Sequence, residues 1–228
     1  MKVLVIGANG KIGKIATRKL HVSEEHEVVA GLRKQEQIID FEVKGYETAL
    51  LDLEGEISAI EDAMDGIDAV VFSAGSGGET GAEKTMMVDL DGAVKAIIAA
   101  KNKGIEHFVM VSAVHSNHRE YWSYGGGNSS IGSYYHAAKH YADEALKNSG
   151  LNYTIIRPVA LTDEMARGSI LISEDLTAET DSDANDLNVS REDVASTIVN
   201  VIGRDKFYNV SFDIASGETN IAEALANL

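Results

Sequence analysis

The sequence predicts an α/β fold in which a doubly wound parallel sheet is flanked by helices on both faces. Three observations support it: continuous apolar runs alternate with helical patterns, a glycine-rich turn follows the first run, and no linker or internal repeat interrupts the 228 residues. Continuous apolar strands are typical of parallel sheets that are buried on both sides. We therefore expect one domain over residues 1–228.

The elements follow one another in a regular order. The predicted strands are 2–6, 27–31, 46–51, 68–73, 107–112, 153–156 and a last one near 207–214. The predicted helices are 11–20, 83–101, 135–148, one that begins after Ser190, and 221–226. In the second of these, one buried face is expected from the helical spacing of Met86, Met87, Leu90, Ala93, Val94, Ile97 and Ile98. Segments 115–133 and 165–188 are predicted to be irregular, at the sheet edge where α/β proteins bind ligands.

Composition narrows the classes of function. The net charge of −16 argues against nucleic acid and anionic membranes as partners. With no cysteine, disulfides, thiolate zinc sites and cysteine nucleophiles are excluded. No signal peptide or membrane span is predicted, so we expect a cytoplasmic monomer or homodimer that acts on a small molecule. His115 and His118 have no carboxylate cluster with ligand spacing, and no metal site is predicted.

The turn after the first strand has the pattern of a dinucleotide site. It reads Gly7-Ala-Asn-Gly-Lys-Ile-Gly13, with glycines at every third position. Such glycines allow a tight turn, a close approach of the backbone to a pyrophosphate, and packing of the next helix on the strand. We therefore predict cofactor contacts from Gly7, Asn9, Gly10, Lys11, Ile12 and Gly13, in a Rossmann-type fold.

A second motif pairs Tyr135 with Lys139 four residues later. On a helix the two side chains share one face, and a nearby ammonium lowers the pKa of a phenol. Tyr135 could then exchange a proton near neutral pH. The alternative is a tyrosine packed in the core beside a solvated lysine.

Together these motifs resemble the short-chain dehydrogenases/reductases. The similarity is to the atypical, single-domain NAD(P)H-binding branch, with its biliverdin reductase B-like and NmrA-like proteins, in the NAD-dependent epimerase/dehydratase superfamily. Further matching segments are Ile156-Arg-Pro158 and Ser190-Arg-Glu-Asp-Val-Ala195. Extended sugar-nucleotide epimerases share the motifs but usually carry a larger C-terminal substrate domain, whereas this chain has room only for a small C-terminal substrate-side region.

The end of the second strand bears on the choice of cofactor. An acidic residue there would bind the ribose 2′-hydroxyl of NAD, but the chain has Arg33 and Lys34, which suit the 2′-phosphate of NADP. We expect NADP, with NAD possible; the alternative is that both cations simply begin a polar helix.

The resemblance implies further cofactor contacts. Asp52, with Leu53 beside it, corresponds to the family residue that hydrogen-bonds the adenine, although an aspartate before Gly55 is also a common turn former. Backbone contacts to the adenine ribose are implied for Ser73, Ala74 and Gly75, and contacts to the nicotinamide for Pro158 and Val159. Proline after a strand is also an ordinary way to end one.

The resemblance also implies the catalytic residues. Ser112 would hydrogen-bond the substrate carbonyl, Tyr135 would supply the proton, and Lys139 would hold the nicotinamide ribose. Many relatives have two serines where this chain has Ser112 and Ala113, so Ser112 could instead be a strand-end serine bonded to backbone. Tyr134 lacks the four-residue spacing to Lys139.

Three functions follow as hypotheses. The first is an oxidoreductase that passes hydride between NADPH and a small carbonyl, quinone or flavin-like acceptor. The others are an NmrA-type redox sensor without catalysis and an epimerase or dehydratase-like isomerase that oxidises its substrate transiently. Tyr121, Trp122 and Tyr124 could form a lid over an apolar substrate, a surface patch or a dimer contact.

Overall fold

A nine-stranded sheet runs through the molecule. The computed structural model describes residues 1–77, 80–123, 132–179 and 187–228. The strands are β1 (Lys2–Ile6), β2 (Glu27–Leu32), β3 (Glu47–Leu50), β4 (Ala69–Phe72), β5 (His107–Val111), β6 (Tyr153–Pro158), β7 (Ala160–Thr162), β8 (Ser169–Ser173), β9 (Asn188–Ser190), β10 (Val210–Ser216) and β11 (Thr219–Asn220). Their order in the sheet is β11-β8-β10-β6-β5-β4-β1-β2-β3, and β7 pairs separately with β9.

Helices cover both faces of this sheet. They are α1 (Lys11–His21), α2 (Gln35–Glu42), α3 (Ile57–Asp62), α4 (Ala82–Lys84), α5 (Ala93–Lys103), α6 (Arg119–Ser123), α7 (Gly132–Lys147), α8 (Leu176–Glu179), α9 (Arg191–Val201) and α10 (Ile221–Ala226), with a π-helical segment at Thr85–Gly92 and a 3₁₀ turn at Asp205–Phe207. The predicted doubly wound fold is therefore confirmed.

Alternation along the strands divides the core into two layers. In β1, Val3 and Val5 pack with α1 and α9 on one face, whereas Leu4 and Ile6 pack with α3, α5 and α7 on the other. Successive side chains of a strand point to opposite faces, so a fully apolar strand supplies both layers.

The sheet is mostly parallel, and β8 is the exception. It pairs antiparallel with both β10 and β11. The prediction of an irregular segment over 165–188 is wrong here: Ser169-Ile-Leu-Ile-Ser173 is a strand that follows Gly168, which has a φ of +69°. The strand was not predicted because it stands among acidic residues and its partner in the sheet, β10, lies some forty residues later in the chain.

The helix predicted over 83–101 is interrupted. The chain forms the short α4, the π-helical segment and then α5, which ends at Gly104 with a φ of +69°. A π turn inserts an extra residue and rotates the following face. Met86, Met87 and Ile98 are consequently exposed, contrary to the predicted face, and Asp89 is buried.

The parallel register brings several turns to one edge. Ile6 of β1 pairs with Phe72 of β4, and Phe72 pairs with Met110 of β5. On the other side of β5, Val111 pairs with Ile156 of β6. Residues that follow these strands therefore gather at the carboxyl edge, where ligands bind in open α/β sheets.

None of the described helices is long and apolar enough to cross a membrane.

Candidate active site

The turn after β1 is built for close backbone contact. Gly7 has a φ of +83°, and a Cβ there would lie 2.7 Å from the backbone N and Cα of Ala74. A Cβ on Gly13 would overlap the carbonyl oxygen of Gly7. The N–H of Gly10 donates to that same oxygen at 2.8 Å and closes the turn. Only glycine therefore fits at positions 7 and 13. Without side chains there, a pyrophosphate could approach the backbone. It could then accept hydrogen bonds from the first N–H groups of α1, which have no partners within the helix.

A cleft of about 400 Å³ opens from this turn across the carboxyl edge. Nine predicted cofactor residues line it: Gly7, Asn9, Gly10, Arg33, Asp52, Leu53, Ser73, Ala74 and Gly75. Sequence reasoning missed other members of the lining, namely Gln37, Glu54, Ser76, Thr80, Lys84 and Val88. None of them belongs to a motif that predicts a cofactor contact, and only the fold brings them to the cleft.

Other predicted cofactor residues lie outside this lining. Ile12 and Gly13 are buried in the first turn of α1, and Lys34 is the N-cap residue of α2. Pro158 ends β6 and Val159 follows it, where the Val159 N–H donates to the Ile214 carbonyl at 3.1 Å. Their contacts with a cofactor stay a prediction.

Asp52 has the turn-forming role considered for it, and its contact with the adenine stays a prediction. Its Oδ1 accepts a hydrogen bond from the Glu54 N–H at 3.0 Å, and its carbonyl accepts one from the Gly55 N–H at 3.1 Å. It therefore forms a turn, and that turn is part of the cleft wall.

Lys11 makes an ion pair with a distant residue. Its Nζ lies 2.6 Å from Oδ2 of Asp163, and Oδ1 of Asp163 lies 2.6 Å from Nη1 of Arg191. The hydrogen bond from Lys11, helped by the charge of Arg191, lowers the pKa of Asp163. This bridge joins the glycine turn to the segment after β7.

Ser112 follows β5 and is bound to a buried carboxylate rather than to backbone. Its Oγ donates to Oδ2 of Asp143 at 2.7 Å, and Ser116 donates to the same oxygen at 2.9 Å. Asp143 lies on α7 and is 3% exposed. Sequence reasoning missed it, although it stands four residues after Lys139 and so on the same helix face.

Lys139 is buried, which rules out the solvated lysine considered above. Its Nζ donates to the Val111 carbonyl at 3.2 Å and lies 3.6 Å from Oδ1 of Asp89. It also lies 5.9 Å from the centre of the Tyr135 ring. The other oxygen of Asp89 accepts from the Ser76 N–H at 2.9 Å, so this carboxylate connects Lys139 to the cleft wall.

The expected lowering of the Tyr135 pKa is wrong for the protein described here. Burial raises that pKa, and the charges of Asp89 and Asp143 add to the effect, so that the opposing ammonium of Lys139 is outweighed. For Lys139 itself, burial acts to lower the pKa, but Tyr135 and the two carboxylates raise it overall. The phenol is thus protonated and the lysine charged at neutral pH.

Aromatic and histidine side chains pack beside this centre. Tyr121 stacks on His115 with 3.8 Å between ring centroids, and the ring centroids of Trp122 and His140 are 5.3 Å apart. Trp122 is only 8% exposed, which does not fit a surface patch. Tyr124, also considered for a lid, lies outside the described residues.

No trio of histidine and acidic side chains suited to a metal ion occurs within the described ranges. His118 instead bridges two acidic groups, with Nδ1 3.0 Å from Glu120 and Nε2 2.9 Å from Asp175.

A buried ion pair supports the same edge. Nε of Arg157 lies 2.5 Å from Oδ1 of Asp213, and Nη2 donates to the Glu174 carbonyl at 2.7 Å. The other oxygen of Asp213 accepts from the Leu176 N–H at 2.9 Å. These bonds hold the start of α8 against the end of β6 and the middle of β10.

The glycine turn, the cleft at the carboxyl edge and the doubly wound sheet define a Rossmann-type dinucleotide-binding protein. The chain belongs to the NAD(P)H-binding family, whose model matches residues 7–205. The predicted resemblance to atypical short-chain dehydrogenases/reductases is thereby confirmed.

Individual relatives cover the entire chain. A Bacillus subtilis protein named "Uncharacterized sugar epimerase YhfK" is 44% identical over 228 residues, which is 100% of both chains. The solved structure of a Bacillus halodurans protein, provisionally named an NAD-dependent epimerase/dehydratase, has a TM-score of 0.86, 35% identity and 100% coverage of both chains. That of the oxidoreductase ylbE from Lactococcus lactis has a TM-score of 0.84 and 31% identity, and covers 100% of this chain and 96% of the other.

Proposed function

We propose that this protein is an NADPH-dependent oxidoreductase that reduces a small carbonyl, quinone or flavin-like acceptor. The observation that carries the proposal is that the half-buried phenol of Tyr135 has its ring centre 5.9 Å from Nζ of the buried Lys139, which Asp89 links to the cleft wall. A phenol and an ammonium so placed are suited to proton transfer that accompanies hydride transfer.

Tyr135 and Lys139 have different parts in this reduction. When bound, NADPH would supply the hydride that the carbonyl carbon of the acceptor needs. Tyr135 donates its proton to the oxygen, so the carbonyl becomes an alcohol and the phenol becomes a phenolate. Lys139 stabilises that phenolate by its charge and orients the nicotinamide ribose. Burial keeps the pKa of Tyr135 high, so the proton is present at neutral pH.

NADP is the proposed cofactor because Arg33 lines the cleft directly after β2. A guanidinium matches a phosphate group in charge and geometry. No acidic side chain stands at residues 31–34 to favour the free ribose hydroxyls of NAD.

Reduction can be tested with NADPH and three acceptors: pyridine-3-carbaldehyde, menadione and FMN. Tyr135→Phe should lower the turnover rate by about 100-fold or more, because one positioned proton donor is lost. The matched control is Tyr134→Phe, since Tyr134 is 39% exposed and should not touch the acceptor. The proposal fails if none of the three is reduced, or if both variants behave alike.

A second candidate is epimerisation or dehydration through transient oxidation. It is favoured by the name of the B. subtilis relative, which matches the whole chain. A sugar nucleotide would then be converted while bound NADP returns unchanged, so product analysis without net NADPH consumption separates the two functions. An NmrA-type sensor would show no turnover and unequal affinities for NADP and NADPH.

A further inference from the structure

Asp143 is a buried carboxyl group that the proposed reaction leaves without a role. Its Oδ2 accepts hydrogen bonds from Ser112 at 2.7 Å and Ser116 at 2.9 Å. Its Oδ1 is buried without a hydrogen-bond partner among the described residues. A carboxyl group therefore sits one hydroxyl away from the position predicted to receive the acceptor oxygen.

The direction of the Ser112 hydrogen bond decides what Ser112 can do. A hydroxyl group has a single proton. While Ser112 gives it to an ionised Asp143, only lone pairs remain to face the acceptor, and a carbonyl oxygen needs a donor. A protonated Asp143 can instead donate to Ser112 Oγ, which frees the serine proton to point at the carbonyl oxygen.

We propose that Asp143 is a positioning residue for the reduction and acts through Ser112. When ionised, Asp143 takes the hydrogen bond of Ser112 and leaves only serine lone pairs toward the acceptor, whereas a protonated Asp143 donates to Ser112 and frees the serine proton for the acceptor oxygen. The inference rests on the proposed function, because it concerns the same acceptor.

The charges around Asp143 are compatible with such a change. Lys139 on the same helix and Arg157 on β6 favour its ionised form. Lys139 also forms an ion pair with Asp89 on the π-helical segment, at 3.6 Å. Tyr135 is neutral and adds no positive charge near Asp143. On the Ser116 side, Nδ1 of His140 bonds to the Ser116 carbonyl at 2.8 Å. Two carboxyl groups thus compete for one buried ammonium.

Burial is the largest influence and raises the pKa of Asp143. The hydrogen bonds from Ser112 and Ser116 act against it, as do the charges of Lys139 and Arg157. The group should therefore titrate above the range of about 4 that is ordinary for aspartate.

The kinetic test measures kcat/KM for the best of the three acceptors from about pH 5 to 9. The wild-type value should fall by about tenfold per pH unit above the Asp143 midpoint. Asp143→Asn cannot titrate, and Ser112→Ala cannot transmit the change, so both should lose this fall. Ser116→Ala should keep it and move it to higher pH, because the carboxylate loses one of its two donors.

Persistence of the fall in either Asp143→Asn or Ser112→Ala would overturn the proposal, as would its absence from the wild type. A merely structural carboxyl group would change the rate without changing the shape of the pH profile.

A second measurement does not depend on turnover. Carbon-13 NMR of the aspartate carboxyl groups, with Asp143→Asn to assign the signal, should place the Asp143 midpoint above the ordinary range, and higher still in Ser112→Ala and Ser116→Ala. An ordinary midpoint overturns the proposal. If the carboxyl titrates as expected but no acceptor is reduced, the proposed function is wrong, and with it the role in reduction, although the hydrogen-bonded arrangement is correct.

Discussion

The ammonium of Lys11 lies 2.6 Å from the carboxylate of Asp163, so the dinucleotide turn is tied to a residue 152 positions later. Both side chains are more than half exposed, at 67% and 61%. Arg191 binds the other oxygen of the same carboxylate. Asp163 therefore forms ion pairs with two cations, one of which, Lys11, belongs to the turn predicted to bind the pyrophosphate.

Replacement of Asp163 by Asn should strengthen NADPH binding. A phosphate would no longer compete with the carboxylate for Lys11, and the gain should be at most about fivefold, because exposed ion pairs are weak. The effect should shrink as salt screens the charges. Fluorescence titration at two ionic strengths measures it.

The matched control is Asp65→Asn, which removes a similar exposed pair with Lys103, also at 2.6 Å. Asp65 precedes β4 and lies at the opposite edge, so NADPH affinity should not change. Weaker binding by Asp163→Asn would mean that Asp163 holds Lys11 in place for the cofactor.

Arg33 should determine the preference for NADP. Arg33→Ala should weaken NADPH binding by roughly 10- to 100-fold, the effect of losing charged hydrogen bonds to a phosphate. NADH affinity should stay within about twofold, since NADH has no 2′-phosphate. Calorimetric titration of both cofactors gives the ratio.

Lys34→Ala serves as the comparison because Lys34 is the neighbouring cation outside the cleft lining. It should have the smaller effect. Equal losses for NADPH and NADH in Arg33→Ala would contradict a contact with the 2′-phosphate.

Gly13 should be intolerant of any side chain. In Gly13→Ala the new methyl group meets the Gly7 carbonyl, and the shift of α1 should lower the free energy of unfolding by about 1–3 kcal/mol. NADPH binding should weaken as well. Gly81→Ala is the control, because a Cβ there meets nothing within 4 Å and should change stability by less than about 0.5 kcal/mol. Urea denaturation that finds the two variants equally stable would contradict this packing.

His107 should make the protein sensitive to acid. Burial lowers its pKa from 6.5 to about 4, and its Nδ1 accepts from the Gly203 N–H at 3.0 Å while Nε2 lies 2.9 Å from Thr154 Oγ1. Because the folded protein holds this imidazole neutral, its contribution is complete above pH 6.5 and is lost as the pH falls toward 4. The loss is about 3 kcal/mol.

His107→Gln should flatten the fall of unfolding free energy between those two pH values, measured by urea denaturation at several pH values. Part of the fall will remain, because burial also lowers the pKa of His136 to about 4. An unchanged slope in His107→Gln would show that His107 does not titrate as stated.

Much of the fold could be predicted because its strands and helices follow from patterns among residues that are close in the sequence. Strands such as β1 and β5 are continuous apolar runs, and α10 matches its predicted bounds of 221–226. The interruption of the helix at Thr85–Gly92 could not be predicted, because burial of Asp89 against Lys139 depends on a contact between residues fifty positions apart.

The candidate site divides in the same way. By itself the sequence determined the alternating α/β order, the glycine turn at Gly7 and Gly13, and the spacing of Tyr135 and Lys139, since each depends on neighbouring residues and on backbone geometry. Only the tertiary structure decided that burial outweighs Lys139 at the Tyr135 phenol, and that Asp143 binds Ser112. Burial and buried charge arise when distant segments exclude water together, and no local pattern records which segments will meet.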